Sequence, residues 1–126
     1  MAQTMREGSP AAYERGLMLV YSNPSASDQR EAFNRWYDEV HLQEVLQVPG
    51  VVAASRFQYD DDQMLPGDNP LGRNYLAVYE IEAEDLQQVR DTMLATSADR
   101  THSDSLELEP LPVIMIFKQL GDKISR

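Results

Sequence analysis

The chain has 126 residues, 42% of them apolar, with 21 acidic and 11 basic side chains and a formal net charge of −10 at pH 7. This length predicts one domain with enough apolar residues for a packed core, yet small enough that a partner subunit would add useful burial. The acidic balance opposes tracking of a nucleic-acid backbone, and the lack of cysteine excludes disulfides, thiolate catalysis and cysteine-ligated metal centres.

No apolar run approaches the roughly 18 residues of a membrane span, and no basic segment followed by an apolar run opens the chain. A cytoplasmic protein without a membrane or nucleic-acid partner is the expectation. Residues 1–14 read as a flexible polar leader, 15–120 as the folded domain and 121–126 as a tail.

In chain order, the apolar run at 16–21 predicts a first strand, broken by the polar, proline-containing stretch at 22–25. Ser25 or Ser27 is placed to cap a helix over about 27–40, with Asp28 and Glu31 favourable in its first turn. Phe33, Trp36 or Tyr37, and Val40 recur at three- and four-residue spacing and give that helix one apolar side. Residues 42–48 continue as a looser turn or a short second helix, ended by Pro49 and Gly50.

Alternation over 51–59 predicts a second strand, with Val51, Ala53, Ser55, Phe57 and Tyr59 on one face and Val52, Ala54, Arg56 and Gln58 on the other. Residues 60–72 hold three adjacent aspartates, two prolines and two glycines, and read as a loop. A third strand over 73–81 points Tyr75, Ala77, Tyr79 and Ile81 one way. A second helix over 84–98 carries Leu86, Val89, Met93 and Leu94 as its buried stripe. A polar connection at 99–111 leads to a last strand at 113–118.

The order is βαββαβ, that of a ferredoxin-like α+β sandwich. Two helices cover one face of such a sheet and leave the other bare. The strands are apolar on both faces, so a homodimer packed sheet against sheet is the simplest cover. The competing solution folds segments 60–72 and 99–111 over the sheet within one chain.

The motif Trp36-Tyr37-x-x-x-His41, followed by Leu42-x-x-Val45-Leu46-x-Val48-Pro49-Gly50 and an apolar strand, resembles the dimeric α+β barrel superfamily. Within it, the EthD-type and stress-responsive branch is the most similar. The likeness spans residues 17–59 and 73–118. It implies a dimer of ferredoxin-like subunits with a small hydrophobic ligand between sheet and helices. Such proteins include cyclases, isomerases, dehydratase- or decarboxylase-like proteins and haem-degrading enzymes.

His41 leads the candidates for chemistry, because an ordinary imidazole titrates near neutral pH. The bland alternative is a solvent-facing or helix-capping histidine. Tyr75 and Tyr79 share a strand face and could donate to a developing oxyanion. Phe33, Trp36, Tyr37 and Tyr59 are the aromatic substrate-binding candidates, with core packing as their alternative. Arg56 could grip a substrate carboxylate with two N–H groups, or form a surface or intersubunit salt bridge. Asp38 and Glu39 read as solvated helix charges, and His102 as a surface residue. No cofactor or metal motif is present.

The resulting expectation is a cofactor-independent acid/base enzyme, a lyase, cyclase or isomerase for a small hydrophobic aromatic or polyketide-like substrate. A non-catalytic binding or oxygenase-accessory dimer is the competing reading. A third is a structural protein whose pocket is filled by its own side chains.

Overall fold

The structure, a computed structural model, describes residues 13–126. The leader expected over residues 1–14 therefore lies outside the described residues except at Tyr13 and Glu14. Glu14 already belongs to the first strand, β1 (Glu14–Ser22). Its carboxylate accepts from Leu86 N at 2.9 Å and from Lys118 Nζ at 2.7 Å.

The remaining elements are α1 (Arg30–Trp36), α2 (Leu42–Val45), β2 (Val51–Gln58), β3 (Tyr75–Ala83), α3 (Leu86–Ala95) and β4 (Val113–Lys118). The sheet order is β2-β3-β1-β4, with every neighbouring pair antiparallel. This is the ferredoxin-like α+β sandwich that the element order predicts.

A single 3-10 turn at Ser27–Gln29 leads into α1. Neither Ser25 nor Ser27 caps it. Ala26 stands at its start in extended backbone and makes no side-chain bond. Ser25 N instead donates to Ser105 O at 2.6 Å and ties the entry to the 99–112 connection. The helix also runs past residue 40, through one π turn at Tyr37–His41 and on into α2. The Leu42 N–H reaches Tyr37 O, five residues back.

That wide turn moves the buried stripe. Phe33 and Tyr37 are sealed, but the next buried position is Val45, while Val40 is only half-buried. Gly50 then closes the segment at φ +97°, where an added Cβ would lie 2.6 Å from Val89 Cγ2. Glycine meets both the positive φ and the close approach.

Residues 18, 20 and 22 of β1 and 75, 77, 79 and 81 of β3 point to the helices and form most of the core with Phe33, Tyr37 and Val89. In β2 the expected alternation is broken. A bulge between Val51 and Ala53 puts Val51 on the helix side together with Ala54 and Arg56. One extra residue inverts the faces on either side of a bulge, so Val51 no longer shares a face with Phe57. In α3, Asp85 accepts from Gln87 N at 2.8 Å and caps the start. Val89 is buried, but Leu94 is 68% exposed, contrary to its place in the expected stripe.

The far face of the sheet carries Leu17, Leu19 and Tyr21 from β1, Leu76 and Val78 from β3, and Val113, Met115 and Phe117 from β4, by strand register. These are half-buried or exposed; Phe117 keeps 52% of its surface. The 60–72 loop is almost wholly exposed. Among the described residues, no helix is long and apolar enough to cross a membrane.

Candidate functional site

Three aromatic rings and an imidazole meet where the π turn crosses the sheet. In a π turn, residues five apart come into line. Trp36 and His41 accordingly stack, with centroids 4.6 Å apart and planes at 23°. Tyr37 meets His41 edge-on at 5.0 Å. It meets Phe33 at 5.4 Å, and Phe33 meets Tyr75 at 5.2 Å. The Trp36 indole N–H donates to Thr101 O at 3.1 Å, which fixes the ring that lies against the imidazole.

Burial between these rings pushes His41 down to about 4, with the Arg100 guanidinium adding to the effect and Glu44 opposing it. At neutral pH the imidazole is uncharged. Its Nδ1 is buried and has no hydrogen-bond partner. Glu44 does not orient it: both Glu44 oxygens accept from Thr101, from N at 2.7 Å and from Oγ1 at 2.8 Å. Those two bonds hold the Glu44 carboxyl below its ordinary range.

Behind Tyr37, the hydroxyls of Ser22, Tyr37 and Tyr79 converge. Burial raises both tyrosines, Tyr79 further because a charge on Tyr37 would oppose its ionisation. Ser22 Oγ and the Tyr79 hydroxyl are sealed from solvent without a hydrogen-bond partner of acceptable geometry. Unmade hydrogen bonds of this kind cost about 1–3 kcal/mol each, which makes them a feature to be explained.

On the opposite side of Tyr37, the Arg56 guanidinium lies 4.5 Å from the Tyr37 ring centroid, 5.4 Å from Phe33 and 5.6 Å from Tyr75. Its Nη1 donates to Asp38 Oδ1 and its Nη2 to Asn34 Oδ1, each at 2.9 Å. Asp38, expected as a solvated helix charge, is instead paired with Arg56, and Asn34 shares that guanidinium. Their spacing of four residues on a helix already put them on one face with each other, and that was the available signal. Ser22 was likewise read as a strand breaker, whereas it is the buried last residue of β1.

The structure thus gathers Phe33, Trp36, Tyr37, His41, Arg56, Tyr75 and Tyr79 around one end of the sandwich. Tyr59 lies apart. It lines a polar cleft of about 670 Å³ at the strand ends, with Asn74, Arg30 and Glu107. A second depression of about 460 Å³ runs between α1 and β2, and a third of about 300 Å³ lies beside Val48, Thr96 and Arg100. His41 lines none of these three. His102 is exposed. Among the described residues, no group of three or more histidine, aspartate or glutamate side chains could hold a metal ion.

Comparison with solved structures bears on the fold. HapK from Hahella chejuensis matches with a TM-score of 0.54 over 88% of this chain and 98% of that one, at 14% identity. The chain has the fold of HapK. An ethyl tert-butyl ether D (EthD) family protein from Bacillus halodurans covers 85% of this chain and 99% of its own, at 18% identity and a TM-score of 0.47. The match bears out the α+β fold expected from the order of elements. No family model matches the chain, and no curated protein matches it. At this identity the likeness to HapK concerns the fold, so the chemistry has to be argued from the residues themselves.

Proposed function

We propose that the protein is a cofactor-independent acid/base enzyme for small, hydrophobic, oxygenated aromatic or polyketide-like substrates, a lyase, cyclase or isomerase. The observation that carries this is the half-buried, uncharged His41 imidazole with a sealed, unpartnered Nδ1. A base whose conjugate acid has a pKa of about 4 is always free at neutral pH but is weak. It suits a substrate whose C–H is already acidified, such as a carbon between two carbonyl groups.

His41 takes that proton. The hydroxyls of Tyr37 and Tyr79, both held protonated, serve as donors to the enolate oxygen rather than as bases. Tyr79 suits this role better than Tyr75, because Tyr79 lies beside Tyr37 whereas Tyr75 packs on the far side of Phe33. Return of the proton to another carbon gives isomerisation, and its delivery to a departing hydroxyl gives dehydration.

A homodimer joined through the far face of the sheet belongs to the same proposal. Each Å² of apolar surface removed from water there contributes roughly 25 cal/mol. The test of the catalytic reading is turnover of aromatic β-dicarbonyl compounds by purified protein. His41→Asn is expected to lower kcat by on the order of 10²–10⁴, and Tyr79→Phe by on the order of 10². Full turnover in His41→Asn would sink the assignment.

One observation favours the second reading, a non-catalytic binding or oxygenase-accessory dimer: among the described residues, His41 does not line the depressions at α1 and β2, at the strand ends, beside Val48 or in the 60–72 loop. Binding of the same compounds without any turnover would select it.

A further inference from the structure

The depression between α1 and β2 is bordered by Asn34, Asp38, Arg56, Phe57, Gln58 and Tyr75. Its volume of about 460 Å³ lies within the range of small-molecule sites. Among the described residues, Arg56 is the one cation on its wall. The three aromatic rings beneath the guanidinium and the bond to Asn34 hold its plane in place. A guanidinium has more N–H donors than Asp38 and Asn34 use, and no Arg56 nitrogen is both sealed from solvent and unpartnered.

The two partners of Arg56 are unequal. Asn34 is neutral, and its bond survives any exchange of charge. The Asp38 side chain is 59% exposed, against 12% for Arg56. Asp38 can therefore swing into water at little cost, whereas the guanidinium stays where the rings hold it. The pair is solvated at its Asp38 end, and that end is the one open to exchange. A second carboxylate that met the fixed guanidinium with better geometry would displace it, and the local charge would be unchanged by the swap.

We propose that this groove is a carboxylate-binding site for a planar aromatic acid, in which the ligand's carboxylate replaces Asp38 on Arg56 and its ring lies between Leu42 and the rim of Tyr75. The inference deepens the reading of the protein as a small-molecule binder and does not depend on the proton-transfer step. Asp38 becomes a built-in competitor, so its removal strengthens binding. That sign is opposite to the one expected if Asp38 merely kept Arg56 in position. The overall negative charge weakens the attraction of an anion only modestly, because charges farther away than about 8 Å are screened at physiological salt.

The test is calorimetric titration of the full chain with naphthoate and with the neutral, nearly isosteric naphthamide at pH 7. Naphthoate is expected to bind on the order of tenfold tighter than naphthamide, since a charged two-pronged contact is about twice as strong as a neutral one. Asp38→Asn should tighten naphthoate binding several-fold, and Arg56→Met should remove the preference for naphthoate. If Arg56→Met fails to fold, Asp38→Asn decides: tighter binding supports the site, while unchanged or weaker binding overturns it. Equal affinity for the acid and the amide also overturns it. His41→Asn should leave naphthoate binding intact, so loss of the acid/base reading and loss of the groove site are separate results.

Discussion

In β3, Ala77, Tyr79 and Ile81 are each only 1% exposed, while Leu76, Val78 and Glu80, their neighbours in the chain, are half-buried or exposed. The two faces of the sheet follow one alternation and are built from similar residues, yet only the helix side is closed. Helix α1, the π turn and α3 supply its cover, with Phe33, Tyr37 and Val89 reaching down onto the strands. The far side has the same strand-forming apolar residues, left half-buried or exposed. Apolar character alone therefore does not decide burial; what packs against it does. Among the described residues, the closed side carries unmade bonds on Ser22, His41 and Tyr79, and the open side carries one on Arg15 together with the surface that a second sheet would cover.

The strongest way to break this contrast is to hollow out the closed side. Phe33 is fully buried and touches Tyr37 and Tyr75. Phe33→Ala should cost about 3–5 kcal/mol of folding stability, read as a lowered midpoint in urea unfolding. A loss below about 1 kcal/mol would mean that the rings collapse freely into the space.

Protonation tests the same side more gently. His41 is held at about 4 in the folded chain, below its ordinary value of 6.5. Between those two values the unfolded chain binds a proton that the folded chain does not. Stability should therefore fall as pH drops from 6.5 towards 4, by on the order of 3 kcal/mol from this residue, and should owe it no further slope below that. His41→Asn should flatten this part of the profile. Trp36 is the only tryptophan in the chain and stacks on His41, so its fluorescence should be quenched with a midpoint near pH 4. A midpoint near 6.5 would show a solvated imidazole.

On the open side the expected loss of stability is smallest and the effect moves to assembly. Leu19→Glu puts a charge at the middle of the far face, opposite Val78. Within the monomer it should cost about 1 kcal/mol, since Leu19 is half-buried. It should weaken self-association by on the order of 2 kcal/mol, seen as a shift from dimer to monomer in sedimentation at micromolar protein. A monomeric wild type under those conditions would reject the proposed dimer.

The order of elements and the strand faces of β1 and β3 were legible in the sequence, because regular alternation over eight or nine residues has one physical solution. Two of the misreadings fall where one residue is added to a regular element. The π turn carried the buried stripe from Tyr37 to Leu42 and Val45 instead of Val40, and the bulge moved Val51 across the sheet. Neither leaves a compositional mark. Leu94, eight residues after Leu86, has a regular stripe position, but it lies one residue from the end of α3 and is left exposed there. At the site, the aromatic grouping followed from spacing on one helix and one strand. The partners of Arg56 and Glu44 did not, since they join residues 18, 22 and 57 positions apart in the chain.

The Glu14 clasp has a consequence for how the chain could be rewired. It joins the first residue of β1 to the last residue of β4, and Gln119 N continues the pairing to Arg15 O at 2.8 Å. The two ends of the folded unit are thus neighbours. A short linker could fuse them without crossing the core, and new ends could be opened in the exposed 60–72 loop, whose tip carries few backbone bonds to the sheet. Such a circular permutant would present β3 first and β2 last, while the π turn, the groove and the bare face stayed in place. The same closeness would allow two copies to be read from one gene in tandem, with the spacer rather than concentration setting how often their open faces meet.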